Sequence, residues 1–407
     1  MKVERLSMGA DPTAAADRVH ALVPGGASVS EAVREIVDDV RARGDAALGE
    51  YVARFDRAEG ALRVSGDELQ AALAGLDPAV RAGLEAAIAN VRAVAEADLA
   101  PDVDVALPQG QTVRLREVPV RRAAIYVPGG RAPYRSTVVM GVVTAKAAGV
   151  DEVVVCAPGT HPVILAACAL CGADEVFRMG GAHAVAALAY GTETVRRADV
   201  IAGPGSLYVQ EAKRLVSGDV GIDGFAGPSD VVVLASAGAD PELVGIDLAA
   251  QAEHGEGTIV VAVSDDPALL DAVRVEPGDA VAALVDAPDL EAALAFAEAF
   301  APEHLELVGE GAEALAPRVR SAGCLFVGRE GATAFGDYIA GSNHTLPTGG
   351  AARFASQLGP RHFRRRMSEV RIGAAAGALA AAAAPVARAE GFEVHATSME
   401  VRENGRR

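Results

Sequence analysis

The 407-residue chain has little that would tie it to a nucleic acid, a membrane or an oxidising compartment. Its 37 basic residues are outnumbered by 55 acidic ones, a net charge of −18, so a phosphate backbone or an anionic bilayer carries charge of the same sign and neither is expected as a partner. No apolar run approaches the roughly 20 residues of a membrane span. Met1 to Asp17 carries no basic segment followed by an apolar stretch, so no secretory signal is expected and the cytoplasm is the default location. The four cysteines, Cys156, Cys168, Cys171 and Cys324, do not make a disulfide framework in a chain this long. Cys168 and Cys171 have C-x-x-C spacing, but they sit with the apolar run Val163 to Leu170 and have no second pair, so they read as small core residues. There is no internal repeat of solenoid period. A complete G-x-G-x-x-G dinucleotide fingerprint is missing too, since the nearest imitation, Gly309-Glu310-Gly311, brings glutamates that a pyrophosphate would repel.

What is present is an ordinary globular composition, 51% hydrophobic and 23% charged, long enough for two or three domains of about 100–200 residues. Beyond residue 122, short β-branched runs alternate with longer helical stretches, the pattern of parallel sheets covered by helices. Strands are predicted at Ala123–Val127, Glu152–Cys156, Glu175–Met179, Val200–Ala202, Asp230–Leu234, Ile259–Val263, Leu305–Val308 and Cys324–Val327. Helices are predicted between them at Thr137–Ala148, Ala182–Tyr190, Ser206–Val216, Pro241–Ala252 and Leu290–Phe300. Amphipathic helices are expected earlier, at Val29–Arg43 and Ala79–Ala97. An alanine-rich helix is expected at Arg371–Ala384, behind the basic patch of Arg361, Arg364, Arg365 and Arg366. A tail that small must lean on the main body or on another subunit.

Two glycine-rich turns, Val127-Pro128-Gly129-Gly130 and Ala202-Gly203-Pro204-Gly205, each follow a predicted strand and precede a helix. Glycine there would let a nucleotide pyrophosphate approach the backbone at a helix N-terminus. A plain connecting turn uses the same residues.

Four polar segments interrupt the alanine- and valine-rich background: Gln251-Ala-Glu-His254, Glu303-His304, Asp337 with Asn343-His344, and Glu390 with His395. They hold half of the eight histidines. Beside His304 they supply three imidazoles, two side-chain amides and four carboxylates, with no thiolate, the inventory of a hard-to-borderline metal site built for chemistry. Histidine both ligates divalent metals and moves protons near neutral pH. Gln251 and His254 lie three apart on a predicted helix that ends at Gly255, so they share a face about one turn from each other. That spacing suits two ligands of one ion, although a solvated helix end looks the same.

In order and spacing, these segments together with Tyr126-Val-Pro-Gly-Gly, Ala226-Gly-Pro-Ser-Asp230, Ala301-Pro-Glu-His-Leu305 and the run Gly336 to Thr348 resemble histidinol dehydrogenase over nearly the whole chain. The resemblance implies NAD-dependent, four-electron oxidation of L-histidinol to L-histidine through an enzyme-held aldehyde, the last steps of histidine biosynthesis. It implies one zinc per subunit, bound by Gln251, His254, Asp337 and His395, with His395 contributed by the neighbouring tail of a domain-crossed homodimer. Glu303 and His304 match the catalytic pair. Ser229, His344 and Glu390 match substrate contacts, beside Gln251, His254, His304, Asp337 and His395. Tyr126 matches an NAD contact, whereas His183 stands where Gln is usual and Ser206 where Asn is usual, two departures on the nucleotide side.

The fold class expected is α/β: two related open, mostly parallel sheets of incomplete Rossmann type, an N-terminal helical segment and a small C-terminal tail domain. The expected division places a helical arm over 1–24 and a first α/β domain, with the catalytic and metal residues, over 25–122 and 231–358. A second α/β domain on the nucleotide side covers 123–230, and a tail domain exchanged in the dimer covers 359–407. Other readings stay open. A related zinc and NAD dehydrogenase could take another small alcohol or diol, although Glu390 would repel an anionic one. A zinc hydrolase using Glu303 or His304 leaves the glycine-rich turns without a role, and a non-catalytic assembly protein leaves the pair itself without one.

Overall fold

A parallel sheet covered on both faces is built from near-continuous apolar strands, and the chain has two sets of them. A computed structural model describes residues 3–23, 29–56, 60–129, 133–159, 161–225 and 227–402. Gly130 and Ala226, which belong to two of the quoted segments, lie outside the described residues. One compact unit, Met1–Asp98 with Val120–Phe363, contains both sets.

The first set is a six-stranded parallel sheet in the order Val3–Ser7, Val281–Asp286, Ile259–Ser264, Asp230–Ala235, His304–Val308, Cys324–Val327. Its strand order reverses between Asp230–Ala235 and His304–Val308. Side chains alternate between the faces of His304–Val308. Leu305 and Leu307 enter the core beneath Leu290–Phe300, while Val308 packs with Val244 and Leu248 of Pro241–Ala252, so His304 and Glu306 face that helix.

The second set is a five-stranded parallel sheet, ordered Glu175–Phe177, Glu152–Cys156, Arg122–Tyr126, Val200–Ala202, Gly221–Ile222. Ala123 and Ile125 pack against Leu84, Ile88 and Val91 of the helix Pro78–Ala97. On the opposite face Ala124 and Tyr126 meet Val33, Val37 and Val40 of Ser30–Arg43. These two helices were expected to go with 231–358; their apolar stripes instead cover the two faces of the five-stranded sheet. The arm over 1–24 is also more than helical, because Val3–Ser7 is an edge strand paired with Val281–Asp286. Val3–Ser7 is short and alternates charged with apolar residues, which hides it from a pattern search.

Most predicted elements keep their place: Glu152–Cys156, Val200–Ala202, Cys324–Val327, Pro241–Ala252 and Leu290–Phe300 have the expected bounds. The helix expected at 137–148 contains a π-turn at Val139–Val143, a feature that frees backbone groups for other partners. There the Met140 carbonyl accepts from Thr144 Oγ1 at 2.6 Å and from Asn343 Nδ2 at 3.1 Å. This ties the loop before His344 to the five-stranded half.

A second unit joins Leu99–Pro119 to Arg364–Arg407, so the tail is not closed on itself over 359–407. Within it Arg364–Arg371 pairs antiparallel with Thr112–Pro119, which pairs with Val103–Ala106. The basic patch becomes this strand, with Arg366 Nε donating to Glu117 Oε1 across the ladder at 2.5 Å. Because the strand uses those residues, the alanine-rich helix starts at Ala376 and runs through Pro385 to Ala389. Among the described residues no helix is long and apolar enough to cross a membrane.

Candidate active site at the strand starts

The switch point of the six-stranded sheet gathers Ser229, Gln251, His254, Glu303, His304, Asp337 and His344 around the amino ends of its strands. The helix Leu290–Phe300 stops at Ala301, whose φ of 51° is the left-handed conformation in a residue that carries a Cβ. Pro302 then delivers Glu303 and His304 directly into the strand. Asp230 clasps them from the neighbouring strand: the Glu303 N–H donates to Asp230 Oδ1 at 2.6 Å, and the Asp230 N–H returns a bond to Glu303 Oε2 at 3.0 Å.

The Ser229 hydroxyl is the hub of the next layer. It donates to Glu303 Oε2 at 2.5 Å and accepts from Gln251 Nε2 at 2.6 Å, with His254 Nδ1 at 3.1 Å. On the other side His304 Nε2 lies 3.8 Å from Asp337 Oδ1, and His344 Nδ1 donates to the Asp337 carbonyl at 3.0 Å. Gly336 lets the short helix Thr333–Tyr338 sit close enough for this, since a Cβ there would run into the Phe326 ring.

Burial sets the electrostatics. It pushes Asp230 and Asp337 up to about 7 and, with the neighbouring Asp230, holds Glu303 well above the usual carboxylate range. The same loss of water lowers His304 to about 3 and His344 to about 4, so both rings are neutral at physiological pH. Among the described residues no Lys or Arg offsets the burial of these carboxyls. Neutral imidazoles beside under-compensated acids suit both metal ligation and proton transfer.

The amide oxygen of Gln251 shows what the arrangement lacks. Oε1 is buried and receives no donor among the described residues. An orphaned buried acceptor of this kind costs about 1–3 kcal/mol, and a cation would satisfy it. Gln251, His254 and Asp337 therefore fit an N/O-ligated zinc. Among the described residues no three His, Cys, Asp or Glu side chains are gathered closely enough to hold an ion by themselves. A set that relies on an amide oxygen and on a further ligand has that property. Glu390 and His395 belong to the second unit, where both are exposed; the His395 ring lies 5.1 Å from Phe392.

The nucleotide-side residues are arranged differently. The Tyr126 hydroxyl accepts from the Gly181 N–H at 3.0 Å, and His183 Nε2 is 2.9 Å from Asp56 Oδ2, with Tyr51 and Phe55 stacked beside it. Both are buried, whereas Ser206 is exposed at the start of Leu207–Val216 and its side chain caps nothing. A Cβ at Gly129 would strike Pro158, and one at Gly203 the Tyr126 carbonyl. These turns need glycine to pack against neighbouring chain, and of the three expected NAD contacts Ser206 is the one presented to solvent.

Sequence reasoning gave no role to Asp230, Asp247 or Glu306. A lone acid inside an apolar parallel strand, as in His304-Leu-Glu-Leu-Val308, was the available signal.

The family model for histidinol dehydrogenase matches residues 25–403. The chain is 42% identical to a histidinol dehydrogenase of Rhizobium meliloti over 400 residues, 92% of each protein. It is 42% identical to one from Thermobifida fusca over 419 residues, 97% of this chain and 95% of that one. The crystal structure of histidinol dehydrogenase from Elizabethkingia anophelis superposes with a TM-score of 0.90 at 29% identity, covering 99% of this chain and 98% of the other.

Proposed function

Because the chain belongs to the histidinol dehydrogenase family, we propose that it oxidises L-histidinol to L-histidine in two NAD-linked steps, with zinc positioning the substrate. Membership makes it an oxidoreductase of histidine biosynthesis acting on histidinol. The finer reading is carried by the orphaned Gln251 amide oxygen beside Ser229, His254 and a neutral His304.

Gln251, His254 and Asp337 would hold the zinc together with His395 from the partner subunit of a homodimer. When bound, zinc supplies a Lewis acid that grips the amino alcohol, and NAD supplies a hydride acceptor. The protein's own groups handle the protons. The Asp230 carbonyl, 3.4 Å from His304 Nδ1, can only accept, so the ring proton sits at Nδ1 and the lone pair at Nε2. That lone pair takes the alcohol proton in the first oxidation. Glu303 is a stronger base when ionised than a free carboxylate, because burial favours its protonated form. It deprotonates the water that adds to the aldehyde before the second oxidation. Ser229 and His344 would line the substrate, and Glu390 of the partner subunit would pair with its ammonium or imidazole.

Stoichiometry tests the scheme. Zinc-loaded protein given L-histidinol and excess NAD should form two NADH per histidinol; one NADH ends the four-electron scheme, and none ends the substrate assignment. Faster turnover of another small alcohol or diol would shift the substrate within the family. Glu303→Gln should spare aldehyde formation more than its onward oxidation, and equal loss of both contradicts that division. Mixing His395→Ala with Glu303→Gln subunits should restore activity, because one of the two crossed sites is then intact.

A further inference from the structure

Two carboxyls in the six-stranded half, Glu306 buried and Asp247 half-buried, take no part in this chemistry. Glu306, 1% exposed, lies two residues beyond His304 on the same strand face. Its Oε1 accepts the Thr333 N–H at 2.8 Å, at the first residue of the helix Thr333–Tyr338. Its Oε2 is buried and receives no donor among the described residues. The side chain facing this carboxyl is another acid, Asp247, on the helix Pro241–Ala252.

Two carboxylates facing each other away from water cannot both be ionised, and one proton held between them turns repulsion into a hydrogen bond. Burial, reinforced by the mutual charge, accordingly pushes Glu306 up to about 8 and raises Asp247. The location matters more than the proton. Asp247 precedes Gln251 by one helical turn, Thr333 precedes Asp337 by one turn, and Glu306 follows His304 by one strand repeat. The three elements that carry Gln251, Asp337 and His304 thus meet at one carboxyl pair, and the helix Pro241–Ala252 packs against Thr333–Tyr338. An apolar pair of similar volume would fill the same space at equal or better stability, so packing alone does not account for two acids.

We propose that Glu306 and Asp247 share a proton as a positioning pair that fixes Gln251 and Asp337 for one cation, an inference that rests on the zinc-linked reading above. Neither residue touches the substrate. Supporting groups behind metal ligands typically account for about 10- to 100-fold in metal affinity.

The test is zinc affinity of the intact chain, measured by competition with a chromophoric chelator, for wild type, Glu306→Leu, Glu306→Gln, Asp247→Ala and His254→Ala. Glu306→Leu and Asp247→Ala should each weaken zinc about 10-fold or more. Glu306→Gln should stay within about threefold, because its amide can accept from Thr333 and donate to Asp247. Circular dichroism identifies any variant that fails to fold; if Glu306→Leu does, Asp247→Ala, on a half-exposed helix, decides. Folded Glu306→Leu or Asp247→Ala with wild-type affinity overturns the positioning pair, as does Glu306→Gln weakened as much as Glu306→Leu. If wild type binds no zinc, or His254→Ala leaves affinity unchanged, the underlying zinc reading fails first and takes the pair with it.

Discussion

The two parallel sheets bury polar groups in opposite ways. In the five-stranded half they are paired: Arg122 with Glu152 at 2.5 Å and with Glu175, Lys213 with Asp223 and the Gly203 carbonyl, His183 with Asp56. Among the described residues of that half, the Nε atoms of Arg122 and Arg178 and the Oδ1 of Asp45, whose other oxygen accepts from Thr194, are what is left over. In the six-stranded half Asp230 and Glu303 are buried and Asp337 half-buried with no cation beside them among the described residues, and oxygens of Gln251 and Glu306 receive no donor there. Paired charges lock an architecture in place. Groups left short of a partner mark where a ligand or a proton completes the structure. The contrast separates residues that hold the fold from residues that do the work, and each side of it can be broken.

The largest effect is expected at His304. Its ring makes one long bond to the Asp230 carbonyl, so His304→Ala removes the proton acceptor while leaving the clasp between Asp230 and Glu303 intact. Losing a general base costs about 10²–10⁴-fold in rate. Steady-state and single-turnover NADH formation from L-histidinol should both show it. A rate within threefold of wild type would remove the six-stranded half's claim to the chemistry.

Arg122→Met tests the other half. It strands Glu152 and Glu175 near the sheet edge, although Arg196 still reaches Glu152 and Arg63 still reaches Glu175. The loss should therefore lie near the low end for a broken buried pair, about 3 kcal/mol by urea unfolding. Turnover per folded molecule should not change. A variant that kept its stability but lost its rate would reverse the roles of the two sheets.

What could be read from the chain follows the same line. Apolar strands such as Glu152–Cys156 and helices such as Pro241–Ala252 declare themselves because burial dictates their composition locally. Val3–Ser7 and Arg364–Arg371 do not, since each is a strand only by virtue of a partner distant in sequence. The site residues stood out as polar interruptions, yet the roles of Asp230, Asp247 and Glu306 depend on what faces them across the fold. His183 is the converse case. The resemblance sets it at an NAD-contact position, and its pairing with Asp56 arises only where the π-turn at Val52–Asp56 brings the two together.

Asp230 gives the comparison a pH signature. Its folded value, about 7, lies above the ordinary unfolded one, so its favourable contribution is complete below about pH 4 and is lost as pH rises through about 7. Asn cannot titrate. Wild type should lose about 2 kcal/mol relative to Asp230→Asn between pH 4 and 8, relaxation and water penetration around the buried charge keeping the figure below the full shift. Urea titrations of both zinc-free proteins across that range measure it. Parallel curves would mean that Asp230 is ionised in the fold and compensated by a group not yet identified.

The smallest effect is expected at the cysteines. Cys156, Cys168 and Cys171 are buried and unpaired, Cys171 being pushed up to about 12 by loss of water, while Cys324 is half-buried. Thiols held in that state are poor nucleophiles. Native protein at neutral pH should therefore leave these three unmodified by iodoacetamide while Cys324 reacts slowly, and all four should react in urea. Replacing Cys168 and Cys171 together by Ala should leave the NADH yield per histidinol unchanged, because the five-stranded half uses them as filler. A disulfide between them in native protein, or an altered NADH yield, would place redox chemistry in the half whose polar groups are already satisfied, and the division between the sheets would not survive it.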